Sequence, residues 1–230
     1  MKILFYDLET SGIDYKQDAI IQFAGILTNI SEDGKVEVLD KFNYEMCPAN
    51  GKRIDLASLD INGYTIDQLK TFKSSQDIYL EFIELLSKHC NKFNKLDKIT
   101  LCGYNNLHFD NDFLRQWFID CGDNYFGSWF WSNAIDVMSE AGLYFLHYRP
   151  AMMNFKLGTI AKYMDIDIDT NALHDGFYDI KLTMHIFLKL LKTPKIKEWD
   201  EQEAIRLYNI KLELEKEPKP IRKESSYVYF

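Results

Sequence analysis

Lys2-Ile3-Leu4-Phe5-Tyr6-Asp7-Leu8-Glu9-Thr10-Ser11-Gly12 begins as an apolar run and ends in two acids one residue apart. Side chains of a strand alternate between faces, so Asp7 and Glu9 project the same way. Two carboxylates on one face repel unless a cation sits between them. Oxygen donors with no Cys or His beside them suit Mg²⁺ or Mn²⁺ better than zinc. The plain alternative is a strand end whose acids face water, because D-x-E is a common tripeptide. Residues further along the chain have to choose between the two.

A chain of 230 residues can hold one α/β domain with a sizeable core, whereas two full domains would be tight. A hydrophobic content of 47% with 15% aromatics excludes a disordered chain. The net charge of −8, from 35 acids against 27 bases, excludes a protein coated in positive charge. It does not exclude a nucleic-acid enzyme, since a metal held by clustered acids itself attracts phosphate. Cys47, Cys90, Cys102 and Cys121 show no C-x-x-C pairing and read as reduced thiols of a cytoplasmic protein. No apolar run approaches about 18 residues, so no membrane span is expected, and the start lacks a signal-peptide pattern.

Working outward, residues 2–6 read as a first strand, Gln22 to Thr28 as a second and Val36 to Tyr44 as a third. Ser31-Glu32-Asp33-Gly34 supplies the hairpin turn. Helical spacing comes next in Thr65 to Phe72, with Thr65 and Asp67 as capping candidates, and in Gln76 to His89. Ile99 to Tyr104 is a short buried strand. Asp110 to Cys121 is a helix whose Phe113, Leu114, Trp117 and Phe118 form a core-facing stripe. Further helices are predicted over Asp136–His147, Lys156–Met164 and Phe177–Lys192. Strands first, then strand and helix in alternation, give an α/β fold, a mixed sheet flanked by helices. Residues 193–230 differ: a charged segment from Glu198 to Glu217, then Pro218-Lys219-Pro220 and Ser225-Ser226-Tyr227-Val228-Tyr229-Phe230. They read as a peripheral helix with a frayed terminus, or alternatively as an aromatic tail that docks a protein partner.

Two more stretches carry chemistry. Gly103-Tyr104-Asn105-Asn106-Leu107-His108-Phe109-Asp110 puts Asp110 between a strand and a helix, where an ordinary helix cap would also place an acid. His174-Asp175-Gly176-Phe177-Tyr178-Asp179 opens the last long helix of the domain, where a surface His and a solvated Asp are the plain alternative. Each plain reading stands alone; together they require acids and a His at three element ends in one particular order.

That order resembles the three motifs of the DnaQ-like 3′–5′ exonucleases, in the subgroup named for four acids and a histidine (DEDDh). Asp7-Leu8-Glu9-Thr10-Ser11-Gly12 is similar to the first, Asn106-Leu107-His108-Phe109-Asp110 to the second and His174-x-Gly176-x-x-Asp179 to the third. Gln22-Phe23-Ala24, Gly63-Tyr64-Thr65, Gly103-Tyr104-Asn105-Asn106 and Asp136-Val137-Met138 further resemble the nuclease domain of its exonuclease I branch. The resemblance covers about residues 2–192 and departs in Gly176, where Ala is usual; glycine there removes no ligand. It implies an RNase H-like sheet, an exonuclease domain over 1–192 and a C-terminal helix and tail over 193–230. The exonuclease I branch carries further C-terminal domains that embrace single-stranded DNA, so high intrinsic processivity is not expected here.

The resemblance also implies a chemistry. Asp7, Glu9, Asp110 and Asp179 would be metal ligands for two ions, Mg²⁺ or Mn²⁺, with Asp7 bridging them and His174 as general base. An unperturbed imidazole near pKa 6.5 suits that task. Leu8, Thr10, Ser11, Asn106 and Phe109 would meet the 3′-terminal nucleotide. Leu8 would wedge near the last base, and Phe109 would stack or pack beside it. Arg115, Arg149, Lys156, Lys162 and Lys181 are candidates for phosphate contacts, whereas Lys88, Lys92, Lys95 and Lys98 read as a solvated face. His108 is not a family position. The expected substrate is single-stranded DNA, released as nucleoside monophosphates. RNA, a replisome-associated proofreading subunit tethered through its tail, and a catalytically silent binding module are the alternatives.

Overall fold

A computed structural model describes residues 1–169, 176–217 and 225–230. Its elements run β1 (Lys2–Thr10), β2 (Ile20–Ile30), β3 (Val36–Cys47), β4 (Arg53–Asp55), α1 (Leu56–Asn62), α2 (Ile66–Leu69), β5 (Lys73–Ser74) and α3 (Ser75–His89). Then come β6 (Thr100–Gly103), α4 (Asp110–Asp120), α5 (Phe126–Trp129), β7 (Ile135–Asp136) and α6 (Val137–Tyr144). A 3₁₀ turn (Leu146–Ala151), α7 (Leu157–Tyr163), α8 (Gly176–Leu190), α9 (Glu201–Leu214) and β8 (Tyr227–Tyr229) complete the order.

Six strands form a mixed sheet in the order β5-β3-β2-β1-β6-β7. β1 is central, antiparallel to β2 from Lys2↔Asn29 to Thr10↔Ile20 and parallel to β6 from Ile3↔Thr100 to Phe5↔Cys102. β2 and β3 form the predicted hairpin, closed by Gly34 at φ 79°. This is the expected α/β architecture, with strands one to three longer than their apolar runs indicated.

The contacts divide the chain into two units, Met1–Ile135 with Lys223–Phe230, and Asp136–Arg222. In the first, alternation on β1 sends Leu4, Tyr6 and Leu8 into a core shared with Phe23 and Leu27 of β2 and Phe42 of β3. α3 adds Ile78, Phe82, Leu85 and Leu86, and α4 adds Phe113, Leu114, Trp117 and Phe118, as their helical spacing requires. The rings of Phe23 and Phe82 meet edge to face at 4.8 Å. α2 starts at a complete capping box between Thr65 and Gln68.

In the second unit the predicted Asp136–His147 helix ends earlier, at Tyr144, and the chain continues as the 3₁₀ turn that contains Pro150. α8 buries Ile180, Leu182, Thr183, Ile186 and Phe187. Arg206 of α9 binds Tyr163 O at 2.7 Å and the carboxylates of Asp165 and Glu203. Those contacts hold a helix whose own apolar stripe is patchy. No helix among the described residues is long and apolar enough to cross a membrane. No disulfide joins the four cysteines.

Candidate active site

Asp7 and Glu9 share one face of β1 and are half-buried, while Leu8 between them turns into the core. β6 pairs with β1 only as far as Phe5, which leaves the backbone of Leu8 open on that side. The Leu8 N–H donates instead to Asp110 Oδ1 at 3.2 Å. Asp110 stands in the first turn of α4, where the helix dipole favours a carboxylate. It is not the ordinary cap, however. The N-cap position is Phe109, at φ −135° and ψ −81°, with no side-chain cap bond.

The turn before Asp110 is built to bring Asn106 inward. Asn105 takes the left-handed conformation at φ 59°, which asparagine tolerates. A Cβ on Gly103 would fall 2.9 Å from the Asn106 side chain, so only glycine permits that approach. The Asn106 carbonyl accepts from Asn111 N at 3.0 Å, and Asn111 Oδ1 accepts from the Tyr6 hydroxyl at 2.5 Å. The fully buried amide of Asn106 lies beside that hydroxyl at a geometry short of a full hydrogen bond. Burial, and after it the charge of Asp110, push the Tyr6 pKa well above its usual value; Asp7 adds to the rise. Tyr6 therefore stays a neutral donor beside two carboxylates.

After β1 the chain is clamped. Thr10 Oγ1 donates to Gly12 O at 2.6 Å, and Ser11 Oγ donates to Arg53 O and accepts from Ala19 N, both at 2.8 Å. Asn62 Nδ2 donates to Thr10 O at 3.0 Å and Asp55 N to Ser11 O at 2.7 Å. Asp18, 1% exposed, receives both the Arg53 guanidinium, at 2.8 and 3.2 Å, and the Asp14 N–H. A Cβ on Gly12 would lie 2.2 Å from Asp18 Oδ2. The first motif thus ends in glycine because the buried ion pair passes against it. Asp18, Arg53, Asp55 and Asn62 escaped the sequence reading, since their bonds join positions far apart with no periodic signal. Tyr6 and Asn111 read there only as members of a strand and a helix.

The other expected site and contact residues are placed as follows. The Leu8 side chain is 5% exposed within the core, so what it presents at this point is its backbone. Ser11 is fully buried, with its hydroxyl used twice inside the protein. Phe109 is half-buried and packs on Phe113 with ring centres 5.0 Å apart. Arg115 lies over the Phe126 ring and Arg149 over Phe155, and Lys162 pairs with Glu217 at 2.8 Å. Asp179 stands in the first turn of α8, in the second unit. His174 lies outside the described residues.

Among the described residues no three His, Cys, Asp or Glu side chains stand in a ligating group. Asp7, Glu9 and Asp110 are neighbours through Leu8, not a formed cage. The donor set fits a hard divalent cation in kind, because Asp7, Glu9 and Asp110 are all carboxylates.

The comparisons agree with the motifs. The RNase_T family model, described as exonuclease, matches residues 4–187. DNA polymerase III PolC-type of Bacillus cereus is 24% identical over 187 residues, which cover 81% of this chain and 11% of the polymerase. Ribonuclease T of Buchnera aphidicola subsp. Baizongia pistaciae is 25% identical over 188 residues, 80% of this chain and 81% of that protein. In fold, the zinc-bound complex of E. coli exonuclease I with single-stranded DNA superposes with a TM-score of 0.64 at 20% identity, covering 90% of this chain and 42% of that one. The chain thus spans only a small part of the polymerase and under half of exonuclease I. A family match across most of the sequence, on the fold that the three motifs imply, places this chain in the RNase_T exonuclease family of DnaQ-like enzymes.

Proposed function

We propose that this chain is a metal-dependent 3′–5′ exonuclease that hydrolyses single-stranded DNA to nucleoside monophosphates. The observation that carries the reading is the bond from Leu8 N–H to Asp110. It fixes the acid of the second motif beside the D-x-E pair of the first. Asp7, Glu9 and Asp110 are the proposed ligands from these two motifs; Asp179 joins them, and His174 is the general base, through the third motif alone. Two divalent ions, Mg²⁺ or Mn²⁺, would supply an activated water and charge stabilisation at the leaving oxygen.

The chain's own residues do the rest. Asn62 and Asp55 fix the backbone of Thr10 and Ser11, so the segment that would face the terminal nucleotide is rigid before substrate arrives. Leu8, Thr10 and Ser11 shape the floor beside the acids in this reading, because their side chains are engaged inside the protein. Phe109, half-buried, keeps an edge for packing beside a base. Stacking of that kind is tolerant of sequence, so weak sequence preference is expected.

RNA is the second reading. It is favoured by the extent of the match to ribonuclease T, which takes in most of both chains. One experiment separates the two: single-stranded DNA, double-stranded DNA and RNA, each labelled at the 5′ end, are incubated with Mg²⁺. A ladder shortening from the 3′ end of single-stranded DNA is expected. Faster loss of RNA would give the second reading, and persistence of every label would refute both.

A further inference from the structure

The loop after α3 repeats a triplet: Asn91-Lys92-Phe93, Asn94-Lys95-Leu96, Asp97-Lys98-Ile99. The repeat is structural as well. Asn91 Oδ1 accepts from Phe93 N at 3.1 Å, and Asn94 Oδ1 from Leu96 N at 3.0 Å. Asn94 N donates to Asn91 O at 2.8 Å, and Asp97 N to Asn94 O at 3.0 Å. Two successive Asx turns therefore hold the loop in a fixed shape. Ile99 of the third triplet is buried, but Phe93 is 86% exposed and Leu96 84%. A rigid loop that keeps two large apolar side chains in water is poorly explained by folding alone.

Their surroundings are basic. Lys92 and Lys95 are exposed, and of Lys88, Lys92, Lys95 and Lys98 only Lys88 is in an ion pair among the described residues, with Glu84 at 3.5 Å. Lys92 Nζ lies 5.5 Å from the Phe93 ring and 5.5 Å from that of Trp129; Lys98 Nζ lies 5.5 Å from that of Trp131, which is also exposed. The one carboxylate in the loop, Asp97, is occupied by Lys2 and by Asn91 N, and the lysine beside it holds its pKa below the usual range. A cleft of about 460 Å³ opens beside the loop, lined by Lys88, Lys92, Phe93, Asp97 and Trp129. The indole Nε1 of Trp129, a residue only 2% exposed, has no hydrogen-bond partner among the described residues. A local cationic surface carrying the exposed rings of Phe93 and Trp131, on a chain of net charge −8, is complementary to a flexible polyanion with π faces of its own.

We propose that the Asn91–Lys98 loop is a second binding site for single-stranded polynucleotide, with a base on Phe93 and phosphates on Lys92 and Lys95. Lys2, bound to Asp97 and to His89 O, ties the loop to the start of β1. Asp7 lies five residues further along that strand, roughly 17 Å away at the usual rise. In this proposal the loop takes the nucleotides beyond those engaged at the acids. It makes affinity depend on strand length. The identity of the polyanion as nucleic acid rests on the exonuclease reading, so the test measures binding apart from cleavage.

Fluorescent strands of about 20 nucleotides and trinucleotides are titrated into the full chain in EDTA at several salt concentrations. For the long strand, K92A/K95A is expected to flatten the slope of log K against log salt by about 1.4, and Phe93→Ala to weaken binding about tenfold. Neither variant should change trinucleotide binding, nor trinucleotide cleavage in Mg²⁺. Ultraviolet cross-linking of a bromouridine strand should label the peptide that contains Phe93. Unchanged long-strand affinity and slope in both variants would overturn the proposal. So would variants that lose only an acidic, apolar peptide added as competitor. A wild-type chain that binds through the loop but cuts no strand would instead refute the exonuclease reading and leave this site standing.

Discussion

Gly12 shows how one residue type can serve structure inside a motif that serves chemistry. Its missing Cβ leaves room for the Asp18–Arg53 pair, which ties β4 to the loop between β1 and β2. Gly12→Ala is expected to cost about 3 kcal/mol in urea unfolding, because it presses on a buried charge pair. An effect below about 0.5 kcal/mol would mean the loop yields freely. Asp110 separates the two roles. Asn at this position keeps an oxygen for the Leu8 N–H and removes the charge; Ala removes both. Asp110→Asn should melt within a few degrees of the parent and lose nearly all cleavage. Asp110→Ala should also lose about 1–3 kcal/mol of stability. Equal stability of the two would show that the bond to Leu8 contributes nothing. The shared face of Asp7 and Glu9 was legible in the sequence through strand alternation, whereas Asp110 beside Leu8 was implied only by the order of the motifs. The neutral Tyr6 donor and the Asp18 clamp were not. Their partners lie 105 and 35 positions away.

At the scale of elements, those with a periodic apolar face were readable: β1 to β3, α3, α4 and α8. β4, β5, α5 and β7, of two to four residues each, carry too few side chains for a period to show. β8 is the instructive case. A terminus that reads as frayed, or as a tail for another protein, is a strand paired with β4 through Arg53↔Tyr229, Ile54↔Val228 and Asp55↔Tyr227. The Arg53 guanidinium lies 4.2 Å from the Tyr227 ring centre, and Val228 and Phe230 pack on Ile21, Ile54, Leu59 and Leu69. Asp55 Oδ1 accepts from Ser226 N as well as capping α1. The same β4 holds Ser11, so the tail braces the loop after the acids. Deleting residues 225–230 should lower Tm by several degrees and raise KM more than it lowers kcat. Val228→Asp should reproduce the effect with the chain at full length. An unchanged melt in both would show that β8 is dispensable to β4.

For the whole molecule the ionisable groups set a window of stability with two different walls. On the acid side, Glu203 is held down at about 2 by Arg206 and Lys197, and Asp97 is lowered by Lys2. A depressed carboxyl pKa gives stability that is complete above the unfolded value near 4.5 and is lost as pH falls toward the folded one. On the alkaline side, burial raises Tyr6, Tyr64 and Tyr79, brings Tyr44 to about 12, and lifts the Cys121 thiol to about 12. A raised acid pKa works the other way: its contribution is complete below the unfolded value and is lost as pH climbs through the folded one. Tm should therefore be nearly flat between about pH 5 and 8, fall below about 4.5, and fall again above about 9, where unfolded thiols and phenols ionise. Glu203→Gln provides the internal check. Its deficit against the parent should be greatest near neutrality and should close between about pH 4.5 and 2, as the parent's own carboxylate takes up its proton. A deficit that stays constant across that interval would show that Glu203 contributes through packing of α9 rather than through its charge.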